Sequence, residues 1–534
     1  MRARSFGGKG LVILLAGAVM RLWRLGSASL WTDEVTTRLR AQASISGCLD
    51  SVLASGNQTP LYFLMINRLP NHNELLLRLP SALLGVFGIA LMIFVVLRLY
   101  GSANLALTAG ALIAFNPYHV WLSRTARPYA LVFVLALAIS YLFLTILRGH
   151  GTRWHWIGFV LCSMAAYMTH AFLLALPVVQ YTVLILTSRR ERPLVRRWFI
   201  AQTIAAIPLA IWAGFLVANF DQVRVGGQWI PTPGVPDLLL TLWNMTVGYE
   251  GGAQWFMLPG LVIALGGLAI GLAKVARARR DNPEGLYWMV LIVYPLVGVF
   301  GLSISVVSLY VDRYFMILLP ALILLVLSGL ARLPRPLWRP ALGVIVLTGA
   351  VSIVSILFSG DYQRENWQEV AAYLEQRQQP GDVMVTDNPS ALQAFDYYFV
   401  PHTPAPLFQL GEVSGDALTR DLPTSGRVWA IYRNPIEDIH RLGVMPTFDP
   451  FRADRSPLGA WLASCRDRVT DQHAFNGITV LLVEGCESAS AVAAQPSPAG
   501  SLEHILTAPS IPSTISGVVE KVVRIMALRW PRRN

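Results

Sequence analysis

Long apolar runs, each near the length needed to cross about 30 Å of hydrocarbon, recur along the first 360 residues. They predict eleven membrane-spanning helices, near residues 9–25, 78–98, 103–120, 128–147, 154–172, 174–188, 199–219, 256–273, 286–308, 314–331 and 341–358. The pattern then changes. Asn366 to Leu374 has the spacing of an amphipathic helix, and Val383–Thr386, Arg427–Tyr432 and Ile478–Val483 read as short strands. The expectation is a polytopic α-helical membrane domain over 1–360 and a small C-terminal α/β domain over 361–486. An Ala/Ser/Pro-rich disordered linker and a basic amphipathic tail should fill 487–534.

Composition agrees with a membrane protein. The 534 residues are 54% hydrophobic and only 14% charged, where a soluble chain carries about a quarter charged residues. A net charge of +12 would suggest nucleic acid in a soluble protein. Here the basic residues fall in alternate loops, at Arg2, Arg4 and Lys9, at Arg148 and Arg153, at Arg189 to Arg197, at Lys274 to Arg280, and at Arg332 to Arg339. Positive residues stay in the cytoplasm. This predicts a multi-pass protein of the cell (inner) membrane with a cytoplasmic N-terminus, an extracytoplasmic C-terminal domain and no nucleic-acid partner. Gly26-Ser27-Ala28-Ser29 resembles a signal-peptide cleavage site, but the next long apolar run starts far downstream, so the first segment reads as a span. Cys465 and Cys486 can form a bridge in an oxidising compartment or remain thiols.

Residues 26–77 form a long loop on the expected outer side, opening with Leu30-Trp31-Thr32-Asp33-Glu34. Paired carboxylates at a membrane boundary are costly to desolvate and chemically useful. Val35, Leu39, Ile45, Leu49 and Val52 have the spacing of amphipathic helices that could roof a cavity. Three arginines break the positive-inside pattern: Arg124 and Arg127 in Ser123-Arg124-Thr125-Ala126-Arg127-Pro128-Tyr129, and Arg313 in Asp312-Arg313-Tyr314. Snorkelling is the ordinary account of such residues; their guanidinium forks also suit phosphate oxygens. His170 closes the fifth span and can meet a phosphate or a hydroxyl. A carboxylate base, phosphate-binding arginines and a membrane-embedded cavity describe group transfer from a lipid phosphate. They do not name the group.

The ordered series Leu30 to Glu34, Pro60-Leu61-Tyr62, Leu77-Arg78-Leu79-Pro80 through Gly85, Asn116-Pro117, Arg127-Pro128-Tyr129 and Asp312-Arg313-Tyr314 resembles the GT-C glycosyltransferases. It is most similar to their family 39-like bacterial members, relatives of protein O-mannosyltransferases and of lipid A aminoarabinose transferases. Asn366-Trp367 and Gly381-Asp382 resemble the start of the outer domain in that family. The resemblance implies an inverting transferase taking a hexose or pentose from a polyprenyl-phosphate donor, with a protein, lipid or glycan acceptor. It implies Asp33 as general base or acceptor orienter, Glu34 as a second acceptor-positioning carboxylate, and Arg127 and Arg313, with Arg124 beside them, as phosphate ligands. Tyr62, Tyr129, His170 and Gln58 would line the cavity.

Two departures stand out. Gln58 and Thr59 occupy a stretch where many relatives carry a His, and Thr125 stands where many carry a Glu. Asp33 and Glu34 alone make a poor metal cage, so metal-independent catalysis without a cofactor is expected. A phosphate acceptor would need no base, and Asp33 would then have another role. The competing readings are a lipid-linked glycan transporter or flippase, and a non-catalytic scaffold. Transporters usually show internal symmetry and broken midplane helices.

Overall fold

The computed structural model describes residues 2–70, 72–187, 192–220, 230–249, 255–278, 282–358, 365–386, 389–400, 407–409, 426–433, 451 and 457–486. The linker and basic tail expected over 487–534 lie outside the described residues. Up to residue 358 the described chain is helical. It runs through α1 (Arg2–Leu22), α2 (Thr32–Gln42), α3 (Ile45–Ala54), α4 (Leu61–Asn67), α5 (Glu74–Tyr100), α6 (Ala103–Ala114), α7 (Pro117–Ser123), α8 (Tyr129–Leu147), α9 (Arg153–Tyr167) and α10 (Ala175–Thr187). It continues through α11 (Arg192–Ala218), α12 (Val235–Thr246), α13 (Leu258–Arg277), α14 (Pro283–Ser305), α15 (Leu319–Leu330) and α16 (Arg335–Phe358). Among the described residues seven helical segments are long and apolar enough to cross a membrane, or eight if α6 and α7 count as one bent span. The protein is a polytopic membrane protein. The three other expected spans are also helical, as α1, α9 and α10, without being among the seven.

The 60° bend between α6 and α7 has a local cause. Pro117 lacks an N–H and disfavours helical conformation at the residue before it. Asn116 instead caps α7, its side chain accepting from the His119 N–H at 2.8 Å. The same amide donates to the Met245 carbonyl at 2.9 Å, which ties the break to the end of α12.

A seven-residue 3-10 helix, Asp312–Leu318, carries Arg313 and runs directly into α15. Helix α15 is clamped against α13 through glycine. Gly267 and Gly271 lie one turn apart on α13 and face Gly329 on α15. A methyl at Gly329 would run into the Gly267 carbonyl, and one at Gly271 into the Leu325 carbonyl. Small residues at this spacing let two membrane helices approach backbone to backbone.

The C-terminal region adds α17 (Trp367–Arg377), α18 (Pro389–Tyr398), α19 (Pro457–Ser464) and strands β1 (Val383–Thr386), β2 (Leu407–Gln409), β3 (Arg427–Arg433), β4 (Val469–Phe475) and β5 (Ile478–Glu484). The sheet order is β2-β1-β3-β5-β4, with β1 parallel to β2 and β3, and β5 antiparallel to β3 and β4. Three strands coincide with the expected ones; β2 and β4 are additional. One face of the sheet, with Met384, Trp429, Ile431, Val480 and Leu482, shares a continuous apolar core with Trp367, Phe395 and the first-loop residues Leu30, Val35, Val52 and Phe63. The other face packs on Leu458, Trp461 and Leu462 of α19, whose following residue Cys465 is joined to Cys486 by a disulfide.

Three tryptophans of the 220–255 loop suit an interfacial belt by sequence, and they separate here. Trp255 is exposed, Trp243 is buried against Val247 and Met257, and Trp229 lies outside the described residues.

The helix clamp sets a test. Gly329→Ala should overpack the α13–α15 contact, at a cost of about 1–3 kcal/mol. The thermal unfolding midpoint of the detergent-solubilised protein should fall by several degrees, while Gly343→Ala on α16, where a methyl meets nothing within 4 Å, should leave it unchanged.

Candidate functional site

The site is built on α2, which opens with both carboxylates in its first turn. Acidic side chains are stabilised there by the N-terminal end of the helix dipole. Consecutive helical residues point about 100° apart, so Asp33 and Glu34 cannot share one environment.

Glu34 points into the protein and is 1% exposed. Its Oε1 accepts from Arg78 Nε at 2.9 Å and from the Ala126 N–H at 2.7 Å. Its Oε2 accepts from Arg78 Nη2 at 2.6 Å. Arg78 projects from α5 and also donates to the carbonyls of Leu25, Ala28 and Ser29, at 3.1, 2.8 and 2.7 Å. Both oxygens of Glu34 are thus spent on holding α2 against α5 and the α7–α8 turn. The expected role of positioning an acceptor does not match this placement, because a carboxylate in such a pair faces no substrate.

Asp33 points the other way and keeps a side chain 32% exposed. Its Oδ2 lies 3.8 Å from Arg127 Nη2 and 3.8 Å from Arg313 Nη2, two guanidiniums that are themselves almost wholly buried. These distances exceed hydrogen-bond length, so the attraction is Coulombic. Arg127 Nη1 reaches the Asp33 carbonyl at 3.4 Å. Arg313 Nε donates to the Tyr129 hydroxyl at 3.0 Å, and its guanidinium lies over the Trp31 ring, 5.8 Å from the centroid. Asp312 holds the turn, accepting from the Arg313 N–H at 2.7 Å and from Asn244 Nδ2 at 2.8 Å.

Arg40 adds a third cation. It is buried on α2 and lies over the Phe63 ring at 4.7 Å, on which Arg127 also lies at 5.9 Å. Burial, and then the neighbouring Arg127, pull the Arg40 guanidinium down to about 10, where it is still protonated at neutral pH. Arg127 and Arg313 therefore flank the Asp33 carboxylate, and Arg40 lies behind Arg127 on the Phe63 ring.

The remaining expected residues divide. Tyr129 and His170 stand at the cluster. The His170 ring is 4.9 Å from that of Tyr314 and 6.2 Å from that of Tyr129. Its Nδ1 accepts from the Phe172 N–H at 3.3 Å, which places the proton of the neutral ring on Nε2. Tyr62 and Gln58 act from behind. Tyr62 is fully buried, its hydroxyl 2.8 Å from Ser81 Oγ, which in turn donates to the Arg127 carbonyl at 3.2 Å. Gln58 accepts from Arg40 Nη1 at 2.6 Å. Tyr62, being fully buried, lines no open space, whereas Gln58 is half-buried.

Arg124 is placed elsewhere. Its Nη1 donates to the carbonyls of Met20, Arg21 and Trp23 at 3.2, 3.0 and 2.8 Å, closing the C-terminal end of α1. The turn between α7 and α8 sends Arg124 and Arg127 to different partners. Arg78 and Arg40 were not singled out from sequence, although Arg78 lies within the Leu77 to Pro80 motif. Among the described residues no group of three or more His, Cys, Asp or Glu side chains stands close enough to hold a metal ion.

Comparison with known proteins bears on the fold that carries this cluster. A family model described as dolichyl-phosphate-mannose-protein mannosyltransferase matches residues 50–223. The structure is similar to a crystal structure of ArnT from Cupriavidus metallidurans in the apo state, with a TM-score of 0.56 and 14% identity over 90% of this chain and 98% of that one. It is also similar to ArnT from the same organism bound to undecaprenyl phosphate, with a TM-score of 0.53 and 14% identity over 92% and 99%. No curated protein matches the sequence. The chain has the GT-C fold seen in ArnT, and the resemblance to family 39-like GT-C glycosyltransferases holds at the level of family model and fold.

The buried pair makes a testable demand. Arg78→Met leaves the Glu34 carboxylate buried without its partner, a change worth about 3–5 kcal/mol, and should sharply reduce the yield of folded protein. Arg78→Met combined with Glu34→Met should recover part of that yield, measured by monodisperse recovery from detergent, because the carbonyls of Leu25, Ala28 and Ser29 and the Ala126 N–H stay unpaired.

Proposed function

We propose that the chain is an inverting glycosyltransferase that moves a hexose or pentose from a polyprenyl-phosphate donor to an acceptor on the extracytoplasmic face of the membrane. The observation that carries this reading is the placement of the Asp33 carboxylate 3.8 Å from both Arg127 and Arg313. A base beside two fixed cations is the equipment for displacing a phosphate leaving group. The family match and the undecaprenyl phosphate bound to a protein of the same fold support the choice of donor.

In this scheme the donor phosphate sits against Arg127 and Arg313. An acceptor hydroxyl approaches the anomeric carbon from the face opposite the phosphate, and Asp33 takes its proton. The new glycosidic C–O bond forms as the sugar–phosphate C–O bond breaks. The electron pair leaves with the polyprenyl phosphate, and the two guanidiniums meet the charge that develops on its oxygens. Arg313 is oriented by Tyr129 and by the Asp312 turn, so it need not reorganise during the step. One displacement inverts the anomeric centre and requires no enzyme nucleophile. With a phosphate acceptor there is no proton to remove, and Asp33 orients the acceptor instead.

The same electrostatics favour catalysis without a divalent ion. A cation at Asp33 would stand between Arg127 and Arg313, and Glu34 has both oxygens committed to Arg78. The acceptor is a protein, lipid or glycan, and the positive-inside pattern supports an extracytoplasmic site and sheet region.

Protein reconstituted in lipid with a panel of polyprenyl-phosphate sugars provides the test, read as transfer or as slow sugar release to water. Asp33→Asn should lower kcat by about a thousandfold, and Arg313→Gln should lower kcat/KM by about a hundredfold, the range for losing one charge-stabilising donor. Wild-type turnover by Asp33→Asn would remove the basis for this reading. EDTA should leave the rate unchanged; a loss of activity restored by added Mg²⁺ or Mn²⁺ would overturn metal independence.

A further inference from the structure

Helix α2 has no side-chain cap of its own. Trp31 occupies the N-cap position and supplies no capping hydrogen bond. The first N–H groups of a helix have no partner within it and need an outside acceptor. Here that acceptor arrives from more than 330 residues away. Glu365, the first described residue of the C-terminal region, places Oε2 at 2.8 Å from the Thr32 N–H and also accepts from the Thr32 hydroxyl. The same oxygen accepts from Trp367 Nε1 at 2.9 Å, and Oε1 accepts from Arg433 Nε at 2.6 Å. Glu365 is 5% exposed. One buried carboxylate therefore joins α2 on one side to α17 and β3 on the other.

The surroundings are shaped to hold it. The two-residue turn Asn476-Gly477 between β4 and β5 lies beneath Glu365. Gly477 has a φ of +70°, and a side chain there would meet Glu365 Cγ at 3.3 Å. The Asn476 carbonyl accepts from the Asn366 N–H at 3.1 Å. A second strut runs alongside: the Leu30 N–H donates to the Tyr398 hydroxyl at 2.8 Å, and that hydroxyl donates to Glu74 at 2.9 Å. The stretch Leu30 to Thr32, which leads into α2 and immediately precedes Asp33, is thus hydrogen-bonded to the C-terminal region at Leu30 and at Thr32.

We infer that Glu365 is a positioning residue for the transfer reaction, acting as a remote N-cap of α2 that sets the orientation of Asp33 toward Arg127 and Arg313. The inference rests on the role given to Asp33 above. It makes the C-terminal region part of the catalytic apparatus without touching substrate. Glu365→Gln replaces one acceptor oxygen by an N–H group. That group must face either Arg433 or the Thr32 and Trp367 donors, so one side of the joint is lost in either orientation.

Full-length Glu365→Gln, Thr32→Val and the double variant would be compared with wild type in lipid, on the donor that wild type turns over best. Thr32→Val approaches the joint from the other side and leaves the C-terminal region intact, which keeps the test available if Glu365→Gln does not fold. Glu365→Gln should lower kcat about tenfold with the donor KM within about twofold, because the phosphate-binding arginines are not moved. Thr32→Val should give a smaller fall of the same kind, and the double variant should lose no more than Glu365→Gln alone. Hydrogen exchange of residues 31–36, which requires no turnover, should speed by at least tenfold in Glu365→Gln. Unchanged kcat and unchanged exchange in folded variants would overturn the inference, as would additive losses or a rise in donor KM alone. Absence of wild-type turnover on every donor would count against the proposed function, and the exchange measurement would still decide the capping role.

Discussion

The Glu34–Arg78 pair is the constraint on which the active region depends. Two charges buried this deeply are expensive to remove from water, and the pair is tolerated because its hydrogen bonds are so completely met. Arg78 gives donors to three carbonyls of the chain entering α2, and Glu34 takes the N–H of Ala126 on the turn that leads to Arg127. One salt bridge thus brings together the end of α1, the start of α2, the body of α5 and the turn between α7 and α8. An apolar contact of equal area would hold these elements together but would not fix their rotation. The bidentate geometry does, and rotation of α2 decides where Asp33 points.

Once α2 is fixed, the charge balance beside Asp33 follows. Arg78 is neutralised by Glu34. Arg127 and Arg313 share the Asp33 carboxylate at 3.8 Å, with the buried Arg40 nearby, in a setting where low water content strengthens every charge interaction. Holding guanidiniums together in this way costs free energy before any ligand arrives. Tyr129, Asp312, Gln58 and Phe63 offset part of that cost through hydrogen bonds and ring contacts to the arginines or to their backbone. An anion entering the site would relieve the remainder. The arrangement is preorganised, its donors being oriented before any anion arrives.

The sequence was informative where the signal is periodic. The apolar runs located the helices, and Val383–Thr386, Arg427–Arg433 and Ile478–Glu484 stood out because they are buried strands rich in β-branched and aromatic residues. β4 did not stand out because Val469–Phe475 is a largely exposed strand at the end of the sheet, with Asp471, Gln472 and His473 in its middle. Asp33 and Glu34 were legible as a pair and not as opposites, because nothing local tells which carboxylate turns inward. That is decided by Arg78, 44 positions away. Arg124 and Arg127 look alike in sequence for the same reason, and one caps α1 while the other faces Asp33. Glu365 carried no signal at all, since an N-cap is ordinarily sought next to the helix it serves.

The shared core between the first loop and the C-terminal sheet explains why these parts occur in one chain. Helices α2, α3 and α4 have 11, 10 and 7 residues, lengths at which an isolated helix is marginal in water. Their apolar faces need a surface to lie on, and α5 with α8 covers only one side. Trp367, Phe395 and the β1–β3–β5 face of the sheet supply the other, in a cluster that also contains Leu30, Val35 and Val52. The loop that carries Asp33 is therefore sandwiched, with a membrane helix below and a soluble sheet above, and each contact fixes a different degree of freedom. Arg78 sets the rotation of α2 from below, whereas Glu365 and Tyr398 set its start from above.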